Sequence, residues 1–410
     1  MKTILVCAIL LVVAVPLFAG DGPVRLGIDV LLNEKLDLIQ GKRLGLITNA
    51  TGLTSAHEST IDALIKAPGI RLVALFGPEH GVRGDVEAGV AIDSYSDPKT
   101  GITVFSLYGS TSKPTPEMLR GVDLLLYDIQ DIGSRAYTYI YTMARAMEAA
   151  RENHIPFIVL DRPNPLGGNL VEGPVLDPRY SSGIGLYPIP YVYGMTVGEL
   201  ARLFNMEFGI GCELTVVPMT GWRRDMYFEE TGIMWVPTSP HIPQVLSVWY
   251  CAAVGCLGEL HQVDVGVGMP GPFEYIGAEW VRADELADEL NSRHIPGLFF
   301  RPLHYKPFYG TFKGVGLQGV QIHLLDRSAF KPMAAQIHIL AALQKLYPDK
   351  NIYDTRRLDM FQKAMGTDQV HKQILAGKSV DAILASWQAG LKSFAALRQK
   401  YLLYPQEARK

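Results

Sequence analysis

Four short segments of the chain concentrate residues able to do chemistry. They are Thr48-Asn49, then Gly77-Pro78-Glu79-His80-Gly81-Val82-Arg83-Gly84-Asp85, then Asp128-Ile129-Gln130-Asp131-Ile132-Gly133-Ser134-Arg135, and finally Asp161-Arg162-Pro163-Asn164-Pro165. Together they hold carboxylates for proton transfer, arginine forks that grip a planar carboxylate by two hydrogen bonds, and neutral amides. Glu79 is the sharpest candidate for a general acid. Gly77, Gly81 and Gly84 fence it, and their backbone freedom permits tight turns and a close approach of substrate. Phe76 and Pro78 would strip water from a carboxyl group, which suits one that must arrive protonated. The competing reading pairs Glu79 with Arg83 as an ordinary loop ion pair. His80 either orients Glu79, binds substrate or is a hydrogen-bonded structural histidine. Asp128 is a second acid candidate, while Asp131 or Ser134 could instead cap the following helix. Asp161 and Arg162 could pair with each other. Arg83, Arg135 and Arg162 are the available forks, with Asn49, Gln130, Asp131, Asp161 and Asn164 as further ligand contacts.

Each segment follows an apolar, strand-like run, at 43–47, 71–76, 122–127 and 157–160. Helical spacing fills 59–65 and 137–153, and Thr196-Val197-Gly198-Glu199 is a capping box that opens a helix ahead of a strand at 213–217. Nearly continuous apolar strands alternating with helices indicate a parallel sheet covered on both faces. Ligands of such sheets sit beyond the carboxyl ends of the strands, the edge to which all four segments are delivered. The expected fold class is therefore α/β: a Rossmann-like, mostly parallel sheet domain over 21–238, then a smaller C-terminal α/β domain over 239–410 closing the cleft. Pro237-Thr238-Ser239-Pro240-His241-Ile242-Pro243 is a stiff link between them. Helices at 283–293 and 331–347, a strand at 319–325 and a helical tail at 368–402 belong to the second domain.

Other classes fall away. With 410 residues, 48% hydrophobic and only 19% charged, the chain is neither disordered nor a disulfide miniprotein. Its 38 basic and 41 acidic residues give a net charge of −3 and no basic stripe, so no nucleic-acid partner is expected. Lys2 and an apolar run over 4–18 read as a signal peptide of residues 1–20, shorter than the about 20 apolar residues of a spanning helix. The mature protein is expected to be exported, periplasmic or extracellular, with no membrane span. Cys212, Cys251 and Cys256 remain; Cys251 and Cys256 could bridge, although two buried thiols on one apolar stretch is the plainer reading. No glycine fingerprint, P-loop, nucleophile-elbow serine or zinc spacing is present, so neither cofactor nor metal is expected.

Several longer motifs carry a resemblance. Gly77-Pro78-Glu79-His80-Gly81, the run from Asp128 to Tyr139, Asp161-Arg162-Pro163-Asn164-Pro165-Leu166-Gly167-Gly168 and Glu172-Gly173-Pro174-Val175-Leu176-Asp177 are similar to those of the NamZ-like exo-β-N-acetylmuramidases, as are Gly194-Met195-Thr196-Val197-Gly198-Glu199-Leu200 and Gly319-Val320-Gln321-Ile322-His323. The resemblance covers nearly the whole mature chain. It implies an active cleft between the two domains and release of terminal, non-reducing β-1,4-linked N-acetylmuramic acid from peptidoglycan-derived muro-saccharides. It puts the family's suspected catalytic glutamate on Glu79, which would protonate the leaving oxygen. The substrate's 2-acetamido carbonyl could then attack the anomeric carbon, assisted by Asp128 or Asp131, and an arginine fork could select the lactyl carboxylate. Where relatives carry Ser-Glu-Gly-Arg-Gly-Thr, this chain has Asp264-Val265-Gly266-Val267-Gly268-Met269. Val265 and Val267 thus replace a Glu and an Arg, with Asp264, Glu259 and His261 as nearby substitutes. That change motivates two alternatives: a cell-wall-sugar binding protein without turnover, or a hydrolase of another glycan.

Overall fold

A computed structural model describes residues 24–84, 94–109, 111–353 and 355–405. The signal-peptide run and Asp85 lie outside the described residues. The strands of the first half are β1 (Arg43–Thr48), β2 (Arg71–Gly77), β3 (Tyr95–Ser96), β4 (Thr103–Ser106), β5 (Leu124–Asp128), β6 (Phe157–Leu160) and β7 (Leu214–Val217). They form one sheet in the order β3-β4-β2-β1-β5-β6-β7, parallel throughout except for the β3–β4 pair. The central strands are buried on both faces, as their unbroken apolar runs require. Helices α1 (Gly27–Glu34), α2 (Thr60–Lys66), α3 (Tyr139–Glu152) and α4 (Val197–Glu207) cover the sheet. Thr196 caps α4, accepting from the Glu199 N–H at 3.3 Å while the Glu199 carboxylate accepts from the Thr196 N–H at 3.0 Å. The strand order reverses between β1 and β5, where Thr48 lies opposite Asp128. This switch point opens a crevice at the carboxyl ends of the two strands.

The second half holds α5 (Val245–Gly258), β8 (Tyr275–Ala278), α6 (Ala283–Ser292), β9 (Leu298–Tyr305), β10 (Leu317–Leu324) and α7 (Pro332–Leu346), followed by α8 (Thr355–Met365), α9 (Gln369–Leu375), α10 (Val380–Ser386) and α11 (Gln388–Arg398). Its sheet is antiparallel, in the order β8-β10-β9. Helix α5 is apolar all round and correspondingly buried, packed on α7. The tail after α11 returns to the first sheet. Tyr404 donates to Asp161 at 2.5 Å, and the Leu403 N–H donates to Glu199 at 2.8 Å. Cys251 and Cys256 both lie on α5 and are not bridged; burial pushes each thiol up to about 12. Among the described residues no helix is long and apolar enough to cross a membrane.

Candidate active site

Glu79 lies one turn beyond β2. The chain reverses there through a Gly81 N–H to Pro78 carbonyl bond of 3.0 Å and a left-handed His80 at φ 73°. The loop is tied down from both sides. The Leu107 N–H donates to the Gly77 carbonyl at 2.8 Å, and Arg83 places Nε and Nη2 on the two oxygens of buried Asp97, at 3.1 and 2.9 Å. Arg83 is thus a strut of the loop. Glu79 is half-buried, and the Tyr108 hydroxyl donates to it; burial, then the charge of Glu79, push Tyr108 above the ordinary phenol range. Tyr139, at the start of α3, is also raised, by burial first and with Glu79 adding to it, and it hydrogen-bonds with Asn49. Asn49 Oδ1 accepts from the Thr51 N–H and hydroxyl, at 3.0 and 2.6 Å, which turns its amide toward Tyr139. Tyr139 in turn donates to the Thr238 carbonyl at 2.6 Å, and Tyr137 donates to the Thr238 hydroxyl at 2.9 Å. Glu79, Asn49, Tyr108 and Tyr139 therefore gather where the inter-lobe link passes. His80, buried, faces the same link: burial and then the nearby His80 charge hold His241 below the usual imidazole range.

The remaining sequence candidates are turned inward. Arg162 grips Asp128 with Nε at 2.6 Å and Nη2 at 2.8 Å, and Thr60 donates to the same carboxylate at 2.5 Å, so Arg162 pairs with Asp128 and not with its neighbour Asp161. Asp161 instead accepts from the Arg162 and Gly198 N–H groups, from Thr196 and from Tyr404, and burial pushes it up to about 7. Arg135, expected to read a substrate carboxylate, is fully buried. Its Nη1 donates to the Pro174 and Ile189 carbonyls and its Nη2 to the Ala364 carbonyl of α8. Both terminal nitrogens are taken by backbone carbonyls, and the contact to Ala364 stitches the two lobes. Neither Asp131 nor Ser134 caps α3, whose N-cap is Thr138. Asp131 Oδ2 accepts from the Gly133 N–H and the Tyr193 hydroxyl, while Oδ1 has no partner among the described residues; burial pushes the group up to about 6. Gln130 donates to the Asp131 and Pro163 carbonyls, and with Arg162 it borders a void of about 20 Å³, room for about one water. Asn164 closes its own turn, accepting from the Leu166 N–H and donating to the Met195 carbonyl.

On the second lobe, Val265 is buried against α5, and Asp264 accepts from the Gly266 N–H and Tyr305 at 2.9 and 3.0 Å. Glu259 and His261 are engaged by Arg357, both at 3.2 Å. Tyr108, Tyr139, Thr238 and His241 went unassigned in the sequence, although Tyr139 ends a quoted motif and His241 lies in the proline-rich link. Among the described residues no three His, Cys, Asp or Glu side chains converge as metal ligands.

Two family models cover most of this architecture: the N-terminal exo-β-N-acetylmuramidase NamZ model over 44–246 and the C-terminal one over 250–404. The chain belongs to the NamZ family. It is 48% identical over 381 residues to the peptidoglycan β-N-acetylmuramidase NamZ of Bacillus subtilis strain 168, covering 93% of this chain and 91% of that one. Two solved structures of DUF1343 family proteins from Bacteroides fragilis share the fold. One has a TM-score of 0.88 at 46% identity, over 93% of this chain and 99% of the other; the second has 0.75 at 29%, over 94% and 99%. The NamZ fold is thus a mostly parallel seven-stranded sheet with helices, joined to a smaller domain built on an antiparallel sheet.

Proposed function

We propose that this protein is an exported exo-β-N-acetylmuramidase that removes terminal, non-reducing N-acetylmuramic acid from peptidoglycan fragments, with Glu79 as the proton donor. Membership of the NamZ family supports the glycosidase activity and its substrate class. The apolar run after Lys2 supports export. One observation carries the assignment of Glu79: it is a half-buried carboxylate in the loop after β2, one strand from the switch point, set beside Tyr108, Tyr139 and the inter-lobe link while Arg83 is committed to Asp97. As Glu79 gives its proton to the glycosidic oxygen, the bond from that oxygen to the anomeric carbon breaks. The substrate's acetamido carbonyl oxygen bonds to the same carbon, and water then opens the cyclic intermediate with Glu79 taking back a proton. Asp128 is left out of this scheme because Arg162 and Thr60 occupy both its oxygens, and Asp131 because it is bound to Tyr193 and Gly133.

Replacing Glu79 by Gln is expected to lower turnover of MurNAc–GlcNAc by about 10²–10⁴-fold at unchanged melting temperature. Free MurNAc released at the parental rate would remove Glu79 from the chemistry. A second reading, sugar binding without turnover, is favoured by Val265 and Val267 on the lobe opposite Glu79. Calorimetric binding of the disaccharide with no product after prolonged incubation would establish it.

A further inference from the structure

The groove that the second lobe presents beside His80 has no part in the chemistry above. Its floor is the turn over 264–272, and its rim is the loop between β9 and β10. The Phe308 N–H donates to the Gly268 carbonyl at 3.0 Å, and the Gly314 N–H donates to the Pro307 carbonyl at 2.7 Å. A Cβ at Gly268 would lie 2.1 Å from the Tyr309 carbonyl oxygen, so only glycine lets the loop descend this far. The result is a cleft of about 420 Å³ walled by His241, Val267, Met269, Pro270, Phe308 and Tyr309. Phe308 and Tyr309 are 65% and 47% exposed, two aromatic rings presented to solvent at the mouth. The Tyr309 ring lies 5.8 Å from that of His241, which in turn feels the charge of His80, next to Glu79 in the chain. The link ties groove to rim: Tyr139, hydrogen-bonded to Asn49 at the rim, donates to the Thr238 carbonyl at 2.6 Å, and the chain runs on through Ser239 into Pro240 and His241 on the groove's wall. None of the six walls named is a carboxylate, a lysine or an arginine, and burial of His241 favours its neutral form. Among the described residues that line it, the groove offers apolar and aromatic faces and no fixed charge.

Such walls suit a neutral sugar, whose C–H face stacks on aromatic rings while its hydroxyls turn to water. Resting on the muramidase reading, we propose that this groove is the leaving-group subsite. It takes the uncharged N-acetylglucosamine on the reducing side of the scissile bond, stacked on Tyr309 and Phe308, while the muramic acid stays on the Glu79 side. The division of charge decides which sugar goes where. Of the two, only muramic acid bears a carboxylate, and a carboxylate in this groove would meet no cation among the six walls.

The test compares kcat/KM on MurNAc–GlcNAc with kcat/KM on β-MurNAc fluoride, which has no leaving sugar. Tyr309→Ala is expected to lower the disaccharide-to-fluoride ratio about tenfold, mainly through a higher KM for the disaccharide, and Tyr309→Trp to restore it. An unchanged ratio in Tyr309→Ala and Phe308→Ala overturns the subsite while leaving the Glu79 assignment standing. Should the parent protein cleave neither substrate, saturation-transfer NMR with free N-acetylglucosamine decides the matter. Transfer that vanishes in Tyr309→Ala supports the groove; equal transfer in both proteins, or none in either, overturns it.

Discussion

Asp128 shows why a carboxylate at a strand end is not by itself a reacting group. Arg162 and Thr60 occupy its oxygens, and the side chains of Asp128 and Arg162 are 0% and 3% exposed. Removing one partner of such a pair strands the other charge in a medium that solvates it poorly. Asp128→Asn is therefore expected to cost about 3–5 kcal/mol of stability, read as a lower urea midpoint at constant m-value. Parental stability with lost turnover would instead return Asp128 to the chemistry. The sequence distinguished these cases unevenly. That Glu79 sits in a tight turn was legible, because three glycines and a proline fence one acid, and the chain does reverse there through the Gly81 N–H to Pro78 carbonyl bond. Arg135 and Arg162 were not, because a guanidinium fork has the same letter whether it meets a ligand, a carboxylate 34 residues upstream or three backbone carbonyls.

At the scale of elements, helix α7 starts with its N-terminus on the other lobe. Glu172 accepts from the Met333 and Ala334 N–H groups at 3.1 and 2.8 Å, which satisfies two donors that an α-helix leaves open in its first turn. Glu172→Ala is expected to destabilise the fold by about 1–3 kcal/mol, measured by urea unfolding, because those two N–H groups lose their acceptor inside the seam. A loss within error would mean that water replaces the carboxylate. Among the elements, β1 and β6 were read within a residue of their ends, since strands buried on both faces leave unbroken apolar runs. Helix α5 was not read at all. Apolar on every side, it shows no 3.6-residue period, and the two-residue β3 is too short to leave a pattern.

For the whole molecule, the buried carboxyl groups set the response to pH. Burial raises Asp131 from 3.8 to about 6, Asp161 from 3.8 to about 7 and Glu172 from 4.5 to about 7. Each binds a proton more tightly in the folded chain than in the unfolded one, so its contribution is fully present below about pH 4 and lost as pH rises through 6 to 7. Asp123, held near 2 by the Arg43 fork, acts in the opposite sense at lower pH, its contribution fading as pH falls through 2. The melting temperature is expected to fall between pH 5 and pH 8, and Asp161→Asn to flatten that fall. A melting temperature that climbs over this interval would contradict the burial of these groups.

The return of the tail to the first sheet bears on what truncation would do. Tyr404 reaches Asp161 at the end of β6, and Arg398 donates to the Gly168 and Gly194 carbonyls, so the wall beneath the Glu79 loop is completed by residues 204 to 243 positions further along the chain. A version cut before Arg398 would retain every strand of the parallel sheet, yet strip these buried acceptors of donors that no strand supplies.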